Sequence, residues 1–234
     1  MFAEKVVSFL NELEFKGSLP SGISIMNPFR DNPQIIPVIS RFYNKFYSDY
    51  FPRNLILGIN PGRFGAGVTG IPFTDSKRLS EKCGLSIPGL DTFETSSVFI
   101  YEMIDAFGGV EKFYKKFFIS AVCPLGFTVI SKKGKSVNYN YYDSKKLTDA
   151  VMSFIIYSLN RHLDFGIERD ICFCMGTGKN YKFLVQLNEK LKFFNKIVPL
   201  EHPRFIMQYK SRQKQIYINK YVEEFRMAAL HSER

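Results

Sequence analysis

The chain predicts an α/β protein, a three-layer α/β/α sandwich around a mainly parallel, four-stranded central sheet. Three observations carry this. Apolar residues recur at helical spacing near 2–15, 35–49, 96–107, 144–162, 179–193 and 210–229. Short β-rich runs lie between these segments, at 54–58, 117–123, 170–175 and 196–200. The runs are almost continuously apolar rather than alternating, as strands of a parallel sheet covered on both faces are. Strands that alternate with helices place helices on both sides of one sheet.

At 234 residues the chain can bury a sizeable core, and no repeat, low-complexity linker or composition shift divides it, so 1–234 is read as one domain. The first helix, MFAEKVVSFLNELEF, interleaves acids with its apolar residues and lacks the unbroken core of a signal peptide. No apolar run approaches the roughly 20 residues that span a bilayer. Cys172 and Cys174 lie within an apolar strand-like run and read as core thiols, while Cys83 and Cys123 stand apart. With three histidines and no metal-ligand spacing, no zinc or iron site is expected. These features describe a soluble protein of a reducing cytoplasm with no membrane partner. The charge is less ordinary. Lys and Arg number 32 against 22 Asp and Glu, a net +10 that favours a polyanionic partner, nucleic acid first.

In a parallel sheet, ligands gather at the carboxyl ends of the strands. The loops there are 59–74, 124–142, 176–179 and 201–209. The first opens Gly58-Ile59-Asn60-Pro61-Gly62-Arg63-Phe64-Gly65 and continues to Thr69-Gly70-Ile71-Pro72-Phe73. Its glycines let a ligand approach the main chain, and its prolines stiffen the turn. Asn60 then either orients a water or substrate or caps its own turn; as an amide it is too weak a base to take a proton. Gly176-Thr177-Gly178-Lys179 is faintly like a phosphate loop, but it lacks the first glycine and has Asn180 where a hydroxyl residue belongs, so it reads as a strand-to-helix turn. The last loop places His202 at a strand end, the best position for catalysis among His162, His202 and His231. Arg204, Lys210, Arg212 and Lys214 follow, interleaved with Phe205, Met207 and Tyr209. Such a mixture either touches phosphates while wedging into stacked bases or forms an ordinary amphipathic helix.

Taken together, these residues are more specific than any one of them. Gly58-x-Asn60-Pro61-Gly62-x-Phe64-Gly65 followed by Thr69-Gly70-x-Pro72-Phe73 closely resembles the first motif of the single-strand-selective monofunctional uracil-DNA glycosylases, within the uracil-DNA glycosylase superfamily. His202-Pro203 is similar to the start of the second motif, and Cys123-Pro124-Leu125 stands where the family also has Cys-Pro-Leu. The resemblance implies a uracil-DNA glycosylase-like fold, no cofactor, and hydrolysis of the bond between a damaged base and its sugar in single- or double-stranded DNA. It implies that Asn60 positions the attacking water and His202 hydrogen-bonds the departing base. It implies a base pocket of Gly58, Ile59, Gly62, Phe64 and Phe73, with Phe73 stacking on the flipped base. Arg204, Phe205, Lys210, Arg212 and Lys214 are the candidate DNA contacts. A monomer acting at the bacterial nucleoid, in the cytoplasm, is the expected form.

Two departures from the family qualify the substrate. Ala121 stands where the family carries an asparagine that reads the pyrimidine edge, and alternation turns its neighbour Ser120 to the other face. This opens the pocket to other deaminated bases, such as xanthine and hypoxanthine. After His202-Pro203, Arg204-Phe205-Ile206-Met207-Gln208 replaces the family's Ser-Pro-Arg-Asn, which leaves the intercalating residue unassigned. The rival readings are a nucleic-acid-binding module with a degenerate pocket and a hydrolase of free nucleosides.

Overall fold

The computed structural model describes residues 1–231, so the last three residues of the expected 1–234 domain lie outside the described residues. In chain order the elements are α1 (Phe2–Glu12), β1 (Ile23–Met26), α2 (Pro28–Asp31), α3 (Ile35–Phe46), β2 (Arg53–Gly58), α4 (Ala66–Thr69), α5 (Ser76–Cys83), α6 (Thr95–Phe107), α7 (Val110–Lys116) and β3 (Phe117–Ala121). They continue with β4 (Gly126–Ile130), β5 (Ser136–Tyr139), α8 (Lys145–Asp164), β6 (Ile167–Met175), α9 (Lys179–Leu191), β7 (Lys196–Leu200), α10 (Pro203–Tyr209), a 3-10 turn (Ser211–Gln213) and α11 (Lys214–His231).

The central sheet has the order β3-β2-β6-β7, and every pairing in it is parallel. All residues of β2 and β3 are buried, which explains their unbroken apolar runs. Phe118 packs among Phe2, Tyr43, Tyr47 and Phe165, so α1, α3 and α8 cover one face. Phe117 meets Phe107, Phe113 and Phe225 on the other, beneath α6, α7 and α11. The three layers expected from the sequence are present. Helix α1 shows why such segments fold: Phe2, Val6, Phe9 and Leu10 form one buried stripe at helical spacing.

Three segments read as loops hold secondary structure, the first being 59–74, which carries the short helix α4. The 124–142 segment carries β4 and β5, which pair antiparallel and join β1 in a second sheet of order β1-β4-β5. These strands are short and half-exposed, so they carry no continuous apolar signal, and β1 adds its pairing from far away in sequence. The 201–209 segment is largely α10. His202 caps it by accepting the Arg204 N–H at Nδ1 (3.1 Å), and Pro203 begins it with a φ already suited to a helix. Boundaries also move: β3 ends at Ala121 and β6 begins at Ile167. The segment starting at 210 opens as a 3-10 turn before α11. Gly176–Gly178 is the strand-to-helix turn expected, with Gly178 preceding α9. All four cysteines are buried and free.

His162, on α8, is buried against Phe9, Phe118 and Phe165, with Nε2 2.8 Å from Ser120 Oγ. Burial pushes its pKa down to about 3. The unfolded chain therefore takes up this proton near pH 6.5 and the folded chain does not, so the contribution is present above that pH and is lost as pH falls through the window below it. We expect His162 to make stability decline by up to about 1.4 kcal/mol per pH unit below pH ~6.5. Urea denaturation of the wild type and His162→Gln across this range checks it, the variant losing that part of the slope.

Candidate active site

The carboxyl ends of β2 and β3 are joined by more than the sheet. Gly58 lies opposite Ala121, and beyond them Val122 donates to the Gly58 carbonyl (3.0 Å) and Cys123 to that of Ile59 (3.1 Å). The Cys-Pro-Leu segment is thus zipped to the first loop. The second sheet presses on the same loop from outside. Gly126 of β4 lies so close that a Cβ there would stand 2.5 Å from the Pro61 carbonyl oxygen, which only glycine avoids. From β5, Asn138 Oδ1 accepts the Arg63 N–H (3.1 Å).

Asn60 is tied down as well. Its Oδ1 accepts the Tyr141 N–H (3.0 Å), and its Nδ2 donates to the Tyr139 carbonyl (3.2 Å). The side chain therefore bridges two loops, and Nδ2 also makes a longer 3.4 Å contact to the Pro61 carbonyl of its own turn. It keeps one carbonyl lone pair for a ligand.

Phe73 has a φ of 51°, a left-handed backbone that bulky residues rarely adopt. Strain of this kind persists where surrounding contacts enforce it, and commonly at ligand sites. The ring lies across Gly58, where an added Cβ would meet ring carbons at 3.0 Å, and its centroid is 5.7 Å from that of His202. A flat apolar surface and an imidazole thus border one space.

The tautomer of His202 follows from its cap. Desolvation, reinforced by the charge of Arg204, lowers its pKa to about 4, so it is neutral near pH 7. Nδ1 accepts a hydrogen bond, so the ring proton resides on Nε2. His202 is therefore a neutral hydrogen-bond donor towards anything in the pocket.

The space is a cavity of about 310 Å³, at the lower end of the range for small-molecule sites. Gly58, Ile59, Asn60, Gly62, Phe73, Ala121 and His202 all line it, as do Arg204 and Phe205 at its rim. Phe64 does not. It is 49% exposed, beneath the Arg63 guanidinium at 4.4 Å. Lys210 and Arg212 are exposed beyond α10, whereas Lys214 Nζ is paired with Glu102 of α6 at 2.5 Å. Ser120 bonds His162 of α8, yet it also lines the cavity beside Ala121, so alternation along the strand does not remove it from the site as expected.

Several lining residues escape sequence reasoning. Asn138 and Asn140 come from the β5 region, and Glu94 from the residue preceding α6. None belongs to a motif, and only the tertiary fold brings them here. Phe205 and Tyr209, one turn apart on α10, lie tilted against each other on the rim, with ring centroids 5.6 Å apart.

A pocket that offers an aromatic face, a neutral imidazole donor and a strand-end amide, on a strongly basic frame, can hold one planar ring taken out of a nucleic acid. That defines a DNA glycosylase. The chain belongs to the uracil DNA glycosylase superfamily, whose family model matches residues 45–226. Its structure is similar to the crystal structure of wild-type SMUG2 from Pedobacter heparinus, at 57% sequence identity over 97% of each chain, with a TM-score of 0.94. A search of curated proteins gives no match.

Proposed function

We propose that the chain hydrolyses the N-glycosidic bond of uracil in DNA, without strand cleavage, and accepts deaminated purines in the same pocket. The observation that carries this is the pairing of Phe73 with the Nε2–H tautomer of His202 across one cavity. Cleaving the bond leaves negative charge on the base and positive charge on the sugar. A preorganised donor that meets the developing anion lowers the barrier, as in an oxyanion hole. His202 supplies that donor and Phe73 stacks on the flipped base. The Gly62 N–H carries no hydrogen bond among the described residues and lines the cavity, where it adds to this stabilisation. Asn60, fixed by Tyr139 and Tyr141, directs its remaining lone pair at the water that captures the sugar cation.

The wider specificity is supported by two features of the inner wall. Ala121 has no group to select a pyrimidine edge, and Ser120 is engaged with His162. The cavity also continues past Ala121 to Phe9, Leu10 and Phe118, which leaves depth for a second ring. On the DNA side, Arg204, Lys210 and Arg212 contact phosphates, and Phe205 with Tyr209 fills the gap left by the extruded base. The protein acts as a monomer in the cytoplasm. Among the described residues, no helix is long and apolar enough to cross a membrane.

Free-base release from oligonucleotides bearing uracil, xanthine or hypoxanthine, in both strand states, tests this. The expected result is release of uracil and of at least one purine. Release of uracil alone would restrict the pocket to pyrimidines, and release of nothing would overturn the reading.

A further inference from the structure

The hydrolysis leaves one proton without a destination. Water attacks C1′, the glycosidic electron pair departs with the base, and the attacking water must give up a proton. Asn60 cannot take it, because an amide is not a base at neutral pH. His202 cannot take it at Nδ1, which accepts the Arg204 N–H, nor at Nε2, which already carries the ring proton. His162 lies at the inner end of the cavity, bonded to Ser120. Asn138, Asn140 and Gln208 are amides. Glu94 is the one carboxylate among the lining residues.

Its placement fits the task. The Glu94 N–H donates to Asp75 Oδ2 (2.8 Å), which fixes the residue at the head of α6. The side chain reaches over the bend that follows Asn60. A Cβ on Gly62 would stand 3.2 Å from Oε1, and one on Gly65 would be 2.0 Å from Oε2. Those glycines make room for the carboxyl group. No side chain or backbone N–H among the described residues bonds to it, and the residue lines the cavity, so its oxygens keep their acceptor capacity for a ligand there.

We propose that Glu94 is the general base of the reaction, holding the water above the Asn60 loop and accepting its proton as the C1′–oxygen bond forms. This rests on the glycosylase reading. The proton then passes from Glu94 to solvent or to the released base, which restores the carboxylate for the next turnover.

Burial and the neighbouring Asp75 raise the Glu94 pKa to about 7, while Arg204 acts in the opposite direction. A base works best when its pKa lies near the working pH. The other charged groups around it are Arg78, paired with Asp75 at 3.3 Å, and His202, which titrates well below neutrality. An acid limb near pH 7 therefore belongs to Glu94.

The test is single-turnover uracil release from single-stranded DNA between about pH 5.5 and 9, for wild type and Glu94→Gln, with DNA affinity measured alongside. Wild-type rates should rise with pH to a plateau above about 7. Glu94→Gln should lower that plateau by about 100- to 10,000-fold, abolish the limb, and leave DNA affinity nearly unchanged. Glutamine keeps the shape, and the variant should melt higher than wild type at alkaline pH, because a buried charge is gone. If Glu94→Gln keeps the wild-type rate, or keeps the limb at a reduced rate, the assignment is overturned while the glycosylase reading stands. If the wild type releases no base at any pH, the glycosylase reading fails and this inference with it.

Discussion

Replacing His202 by alanine is expected to lower the rate of base release by about 100- to 1000-fold while leaving DNA affinity largely intact. The reason is where its hydrogen bond forms. The uncleaved base carries little charge on its oxygen, so an Nε2–H donor contributes modestly to binding. As the glycosidic bond stretches, negative charge builds on that oxygen and the same donor stabilises it far more. An interaction stronger in the transition state than in the ground state appears in turnover, not in affinity. His202 has a second role, as the cap of α10, and its loss there should cost about 1 kcal/mol of stability. His202→Asn separates the two roles. Asparagine is a good cap and restores stability, but its shorter side chain cannot place a donor where Nε2 is, so turnover should stay low. Urea melts and single-turnover release on both variants check this. A His202→Asn enzyme with near wild-type turnover would assign the residue to structure alone.

The second large effect is expected at Asn60. Asn60→Ala should reduce turnover by about two orders of magnitude, since a misplaced water loses the advantage of a fixed near-attack geometry. Unlike His202, this side chain also joins two parts of the fold. Its removal leaves the Tyr141 N–H without its partner and takes one donor from the Tyr139 carbonyl, at a half-buried junction. A cost on the order of 1–3 kcal/mol in stability follows. Turnover must therefore be compared at a temperature where both proteins are folded, with circular dichroism as the control. Wild-type turnover in a folded Asn60→Ala protein would free the residue from the water-holding role and leave it the loop bridge alone.

How much of this was legible in the sequence varies by element. Strands β2 and β3 announce themselves because they are buried on both faces and so read as continuous apolar runs, while β6 and β7 are buried chiefly towards their carboxyl ends. The long helices are visible through stripes such as Phe2-Val6-Phe9. The second sheet was hidden, since β4 and β5 are half-exposed hairpin strands completed by β1 from about a hundred residues upstream. The motif residues of the site were legible, and the fold does bring Asn60, Phe73, Ala121 and His202 to one cavity. What the motif could not convey was environment. It gave no sign that Asn60 is held by the β5–α8 connection, or that Phe64 points away from the pocket. Nor could it show that Lys214 is occupied by Glu102. Glu94 left no signal, because a lone glutamate before a helix looks like any other. Its significance comes from the glycines it lies against and from the missing partner.

The central claim is that this pocket extracts a base and cuts only its bond to the sugar. The most direct test is to incubate the protein with a single-stranded oligonucleotide carrying one uracil, and to quantify free uracil and strand integrity before any alkali or heat. The account predicts one uracil released per abasic site formed, with the strand intact until alkali is added. No free uracil, or strand breaks appearing together with it, would contradict it.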